Sequence, residues 1–178
     1  VPALEIRAAK AGDVDAIAHV LGMSFYQPFH PCLRFLSPLL YPMVRWGIAL
    51  DLGTRLQEGQ VHHLCLVALA HQPTPQVVAA LELSVRQQFW VAPVPYLYNL
   101  AVAPAWRGQG VGDRLMQSAE KVALSWGYPA IYLHVLEGNR AAVHLYHKRG
   151  YGCLRPDPLW QPFPWRQGRR LLFKKSLQ

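Results

Sequence analysis

At 178 residues, with 52% hydrophobic and only 16% charged positions, the chain can bury one sizeable core and is neither a disordered protein nor a polyelectrolyte, so residues 1–178 are read as a single domain. The formal charge of +8 implies an anionic partner: nucleic acid, an acidic protein surface or a polyphosphorylated cofactor. No uncharged apolar run reaches the roughly 18 residues of a bilayer span, and Cys32, Cys65 and Cys153 are too scattered for a disulfide framework or a zinc site.

Residues 4–9 alternate apolar and polar side chains as a short strand does, and Asp13 is placed to cap a helix with Val14, Ile17, Val20 and Leu21 on its apolar face. Prolines between Pro28 and Pro42, with Phe25, Tyr26, Phe29 and Tyr41 nearby, interrupt the helical pattern until Val44–Leu56 resumes it, which predicts a shaped lip between two helices. His63–Ala70 and Val77–Val85 read as two antiparallel strands joined by the turn-rich Gln72–Pro75. Glu82 interrupts the second run, and alternation sets it opposite Leu81 and Leu83, which predicts a solvent-facing carboxylate.

Tyr96–Val102 is a further strand. A glycine-rich turn follows it, then a helix to about Trp126 with Val111, Leu115, Ala119, Val122 and Trp126 on one face, stopped by Gly127 and Pro129. Ile131–Leu136 is the next strand, and a strand, helix, strand run of this length predicts two parallel strands joined by a right-handed crossover. A helix over Arg140–Arg149 ends at Gly150; the proline- and tryptophan-rich residues 155–168 read as an ordered loop, and Arg169–Lys174 as a last strand.

The turn RGQGVG, Arg107–Gly112, joins a strand to a helix, where backbone N–H groups and the positive end of the helix dipole bind anions and closely spaced glycines let phosphate approach. It lacks the lysine ending of a P-loop, and Gly108, Gly110 and Gly112 do not fit the dinucleotide fingerprint. The stretch LAVAPAWRGQGVGDRLM, residues 100–116, resembles motif A of the GNAT superfamily of N-acetyltransferases, with Arg107, Gly110 and Gly112 filling the signature behind a V-x-P turn. IYLHVLEGNRAAVHLYHKRGYG, residues 131–152, is similar to motif B through Asn139, Tyr146 and Gly150–Gly152. The first 90 residues or so match that family only in the order of their elements.

The resemblance implies an α/β fold of GNAT type: a mixed, mostly antiparallel twisted sheet, helices on both faces, and a parallel strand pair splayed around an acetyl-CoA site. It further implies acetyl-CoA as cofactor, with backbone groups of Leu100, Ala101 and Val102 on the pantetheine arm, the turn Arg107, Gly108, Gln109, Gly110, Val111 and Gly112 on the pyrophosphate, and Asn139 and Tyr146 contacting CoA from the other side. No metal site is expected.

Acetyl transfer to an amine requires the amine neutral, and a lysine of pKa near 10.4 is neutral at pH 7 in only about one molecule in 2,500, so a proton acceptor is needed. On strand 131–136, Ile131, Leu133 and Val135 share one face and Tyr132, His134 and Leu136 the other, the side on which the family places its cleft. His134 is the candidate base, acting directly or through one water, beside the reading of a histidine hydrogen-bonded within the sheet. Tyr96, Tyr98, Leu100 and Val102 share a face of the neighbouring strand, and a tyrosine hydroxyl there could hold the catalytic water. Tyr96 with the YLHV strand resembles a protein N-terminal acetyltransferase subfamily. The resemblance makes Tyr146 the general acid for the departing thiolate, the alternative being an aromatic packed in the core, and makes Glu82 a reserve base. Cys65 reads as a buried hydrophobe, which favours direct transfer over an acyl-enzyme.

The expected function is therefore direct acetylation of a protein or peptide amine, at lysine side chains or N-terminal α-amines. Acetylation of a small amine (polyamine, antibiotic or amino acid) and a non-catalytic acyl-CoA sensor stand beside it. An acidic pocket would favour a small cationic amine, but only ten acidic residues exist and they are scattered along the chain. A nucleic-acid adaptor built on Arg166, Arg169, Arg170, Lys174 and Lys175 is less economical than a charged strand edge, so neither nucleic acid nor membrane is expected as partner. A monomer or homodimer is expected, in the cytoplasm or, since the sequence opens at Val1 and a transit peptide could have been removed, in an organelle stroma.

Overall fold

The computed structural model describes residues 4–25, 37–57, 62–71, 74–86, 92–156 and 169–178. Most of the expected lip, residues 26–36, and residues 157–168 of the expected loop lie outside the described residues. In chain order the elements are β1 (Leu4–Ala8), α1 (Val14–Phe25), α2 (Ser37–Gln57), β2 (His63–Ala70), β3 (Gln76–Arg86), β4 (Val94–Val102), α3 (Val111–Ser125), β5 (Ala130–Leu136), α4 (Arg140–Lys148), β6 (Gly152–Pro156) and β7 (Arg170–Ser176). The strands form one sheet in the order β1-β2-β3-β4-β5-β7-β6. β1 is antiparallel to β2, and β7 is antiparallel to both β5 and β6. β4 and β5 are parallel, registered through Tyr96↔Tyr132 and Leu97↔Leu133. This is the mixed α/β arrangement with one parallel pair that the motif resemblance implies.

The chain divides into two compact units, Val1–Glu82 with Asn99–Met116, and Leu83–Tyr98 with Gln117–Gln178. In the first, the apolar stripe of α1 meets α2 and β2 in a core of Ile17, Val20, Leu21, Leu52, Cys65, Val67, Leu69, Ala80 and Ala101. Tyr41 of α2 fastens α1: its hydroxyl donates to the His19 carbonyl at 3.3 Å and lies 3.0 Å from His19 Nδ1. In the second unit, burial along β5 alternates, with Ile131, Leu133 and Val135 inward and Leu136 exposed. Tyr146 of α4 packs its ring against Tyr151 and Phe173, centroids 6.0 and 6.1 Å away. Buried Glu120 accepts from Arg149 at 2.5 Å and from Lys175 at 2.8 Å, so one cation of the basic C-terminal segment serves an internal ion pair.

Four expectations are corrected. Asp13 does not cap α1 directly: it closes a 3-10 turn, Ala11–Asp13, where its carboxylate accepts from the Lys10 N–H at 2.7 Å and pairs with Arg7 at 2.6 Å. α2 begins at Ser37 and carries Pro42 inside it, beyond the first turn, where the missing N–H removes one bond of the helix. Arg155 and Pro156, expected to open the loop, instead end a strand, Gly152–Pro156, whose register against β7 is irregular between Cys153 and Arg155. Glu82 is not solvent-facing but only 1% exposed, because β3 is covered on both sides from Val78 to Ser84 and alternation there no longer separates inside from outside.

Candidate active site

The turn after β4 has the backbone geometry of an anion cradle. Gly108 and Gly110 take φ of 74° and 76°, a conformation favouring glycine, and a Cβ at either would meet nothing within 4 Å, so the backbone there faces open space. The side chains of the turn are anchored elsewhere. Arg107 Nε donates to the Val102 carbonyl at 3.0 Å, with Nη2 3.5 Å from Ser24 Oγ, and Gln109 Nε2 donates to the Ala105 carbonyl at 2.9 Å. Arg114 N–H donates to the Gly110 carbonyl at 3.1 Å, so the amides of Val111 and Gly112 belong to the first turn of α3, which has no acceptor for them within the helix. Open glycine backbone, a helix start and side chains drawn back suit a pyrophosphate.

Within β4, Asn99 is a non-glycine residue at φ 53°, which interrupts the alternation assumed for Tyr96, Tyr98, Leu100 and Val102. Its Nδ2 donates to Glu82 Oε1 at 2.6 Å. The other carboxylate oxygen of Glu82 accepts from Arg55 Nη1 at 2.9 Å and lies 3.2 Å from His63 Nε2. Arg55 also pairs with Asp51. Asp51, Arg55, Glu82 and Asn99 line a cavity of about 370 Å³ together with Leu21, Phe25, Ile48 and Leu52. Asp51 and Glu82, distant in sequence, thus meet at one cavity despite the scatter of acidic residues along the chain. Both oxygens of the Glu82 carboxylate are therefore engaged within the protein. Cys65 in the same unit is 1% exposed and burial pushes its thiol up to about 12, leaving no thiolate for an acyl-enzyme.

In the second unit, Tyr96 and His134 come together. The Tyr96 hydroxyl hydrogen-bonds His134 Nδ1, and the two rings are tilted by 40° with centroids 5.7 Å apart. Parallel register accounts for this: Tyr96 stands opposite Tyr132, and His134 lies two residues further along the same face of β5. Tyr146 is 8% exposed, and burial, helped by nearby Tyr96, pushes its phenol up to about 12. Asn139 caps α4, its Oδ1 accepting from the Ala142 N–H at 3.2 Å. Sequence reasoning passed over Arg55, His63, Asn99 and Arg86. Of these only Asn99 carried a signal, an asparagine inside an apolar strand, the residue type most tolerant of positive φ after glycine. Among the described residues no group of histidine, cysteine and acidic side chains could hold a metal, and no helix is long and apolar enough to cross a membrane.

Comparison with known proteins bears on this geometry. Over 82 residues the chain is 38% identical to GCN5-related N-acetyltransferase 7, chloroplastic, of Arabidopsis thaliana, a match covering 46% of this chain and 30% of that protein. Over 74 residues it is 35% identical to the thialysine N-epsilon-acetyltransferase of Mus musculus, covering 42% of this chain and 44% of the relative. The matched part is thus less than half the length of either relative. The fold superposes on the PaiA N-acetyltransferase of Thermoplasma acidophilum, solved in complex with coenzyme A, with a TM-score of 0.73 at 19% identity, covering 98% of this chain and 99% of that one. A sequence profile of the Acetyltransferase (GNAT) family matches residues 29–151, and the chain belongs to that family.

Proposed function

We propose that this chain transfers an acetyl group from acetyl-CoA directly to a protein amine, at a lysine side chain or a free N-terminus. The observation that carries the reading is the hydrogen bond between Tyr96 and His134, which joins a titratable imidazole to a hydroxyl on the strand pair where the family's cleft lies. Bound acetyl-CoA supplies the activated thioester.

The open glycine backbone of Arg107–Gly112 fits its pyrophosphate, and Leu100, Ala101 and Val102 are assigned to the pantetheine arm. Asn139 keeps its assignment to CoA alongside its capping bond. His134 removes the proton of the incoming ammonium, directly or through a water held by the Tyr96 hydroxyl, and an N-terminal amine of pKa near 7.7 to 8.0 asks less of it than a lysine does. Tyr146 stays protonated throughout the physiological range and presents its hydrogen to the departing sulfur. Glu82, engaged by Arg55 and Asn99, is assigned to holding the bend of β4 in place ahead of its reserve role as a base.

The test is acetylation of a mixed peptide library with acetyl-CoA, resolved by mass spectrometry into lysine and N-terminal products, beside His134→Ala. Peptide acetylation falling at least a hundredfold in the variant, with CoA affinity kept within about twofold, is the expected result. CoA binding without any peptide product would sink the reading.

A second reading, a small cationic amine as acceptor, is favoured by the thialysine enzyme among the relatives. Turnover of thialysine or a polyamine in place of peptides decides for it. The chloroplastic relative supports an organelle stroma beside the cytoplasm as the compartment, which imaging of the tagged protein in cells of its source tests. A monomer or homodimer is proposed, to be measured by sedimentation.

A further inference from the structure

Arg86, the last residue of β3, is an exposed cation with an unusual set of contacts. Its Cζ lies 4.2 Å from the centroid of the Tyr98 ring and 5.8 Å from that of Tyr96, and its Nε donates to Ser84 Oγ at 3.1 Å. Arg7, Arg55 and Arg149 each pair with a carboxylate, Asp13, Glu82 and Glu120, whereas among the described residues no acidic group pairs with Arg86. A guanidinium lying over tyrosine rings is held near them by cation–π attraction, and its planar fork of N–H donors is of the kind that matches a carboxylate. One of the two rings is Tyr96, whose hydroxyl meets His134. A cation therefore adjoins the pair assigned to deprotonate the acceptor amine.

We propose that Arg86 is a specificity-determining residue which binds a carboxylate carried by the acceptor close to the amine that is acetylated. The proposal rests on the reading of Tyr96 and His134 as the place where the amine loses its proton. The ligand chemistry is an amine with a neighbouring carboxylate, supplied either by a peptide with Asp or Glu beside the acceptor amine or by a free amino acid. Tyr96 touches both groups, the guanidinium through its ring and the imidazole through its hydroxyl. A polyamine, which has no anionic group, would meet repulsion at Arg86.

The test uses acceptor pairs differing only in charge: peptides with Glu or Gln, and Asp or Asn, next to the acceptor amine, and free amino acids beside their amides. Each pair is run on wild type, R86Q and R86K with two readouts, kcat/KM for acetylation and equilibrium binding of the acceptor to the CoA-loaded protein. Wild type is expected to favour the acid over its amide by about tenfold in both readouts, the size of a partly exposed charge-assisted bidentate contact. That ratio should fall to near one in R86Q and be partly kept in R86K, which retains the charge but not the fork. The arm in which the ratio appears identifies the source, peptide or amino acid. A wild-type ratio near one, a ratio unchanged in R86Q, or an R86Q effect confined to CoA affinity would overturn the proposal. Absence of turnover with every acceptor would count against the acetyltransferase reading, while the acid-to-amide binding ratio would still decide the role of Arg86.

Discussion

The Tyr146 hydroxyl is held neutral by its surroundings. Burial raises the folded phenol to about 12 from an ordinary value of 10, so the unfolded chain ionises first. The associated stability is complete below about pH 10 and is lost as pH rises from there through about 12. Tyr146→Phe should reduce the alkaline loss in a pH series of thermal melts, the part owed to the buried Cys65 thiol remaining, and lower kcat at least tenfold with little change in CoA affinity. Asp13 titrates in the opposite sense. The hydrogen bond from Arg7 holds its carboxyl below the usual value of 3.8, so its contribution is present above that pH and lost as pH falls through the folded value. Asp13→Asn should lower the melting temperature at pH 7, with the difference from wild type shrinking as pH falls below 3.8.

At this scale the sequence was legible where strand periodicity placed Tyr96 and His134 toward the same region, and misleading at Glu82. Alternation assigns a polar residue to solvent only when one face of the strand is wet, and β3 has no wet face there. Arg86 was not legible at all, since the rings it lies over belong to another strand.

Among the elements, the turn between β4 and α3 lends itself to a two-variant experiment. Gly110→Ala meets no steric obstacle but must adopt φ 76°, which costs about 1 kcal/mol, and it places a methyl group on the backbone side that faces open space. Gly110→Asn accepts the backbone conformation more readily yet still occupies that space. If the open side receives a pyrophosphate, calorimetry should find CoA affinity reduced more than tenfold in both variants, with stability impaired mainly in the alanine one. Equal losses of stability with CoA affinity intact would remove the turn from the cofactor site. The strands and helices from residue 94 to residue 150 stand close to where apolar spacing, Gly127 and Gly150 place them. β6 escaped prediction because its five residues include a proline and its pairing with β7 is irregular, so no period of two survives to be read. α2 was placed late because Pro38 and Pro42 read as breakers, although a long helix carries Pro38 in its first turn and Pro42 beyond it.

For the whole molecule, the charge of +8 carries a consequence that no single contact does. A cofactor bearing several phosphates is attracted by the summed field, so raising salt from about 50 to 500 mM should weaken CoA binding several-fold with its enthalpy little changed. Some of the basic C-terminal segment is engaged within the protein: Lys175 with Glu120, and Lys174 5.6 Å from the Tyr132 ring centroid. The fold class was legible from residues 100–152, because a family signature joins strand, turn and helix in one stretch. Before residue 90, element order was readable but chemistry was not. The cluster of Arg55, Glu82 and Asn99 unites residues far apart in sequence, and only tertiary packing brings them to one cavity.

The bend at Asn99 narrows the amino-acid alphabet at that position. A backbone at φ 53° admits glycine, asparagine and aspartate with least strain, while the bond to Glu82 requires a side-chain donor. Glycine supplies the conformation without the donor, and aspartate supplies the conformation with a second negative charge facing the first. Asparagine alone among the three meets both demands, so deamidation of this one side chain would convert a hydrogen bond into a repulsion at the centre of the cluster. An aged sample should therefore lose stability before any change in its mass beyond one unit, and Asn99→Asp should melt below Asn99→Gly at neutral pH.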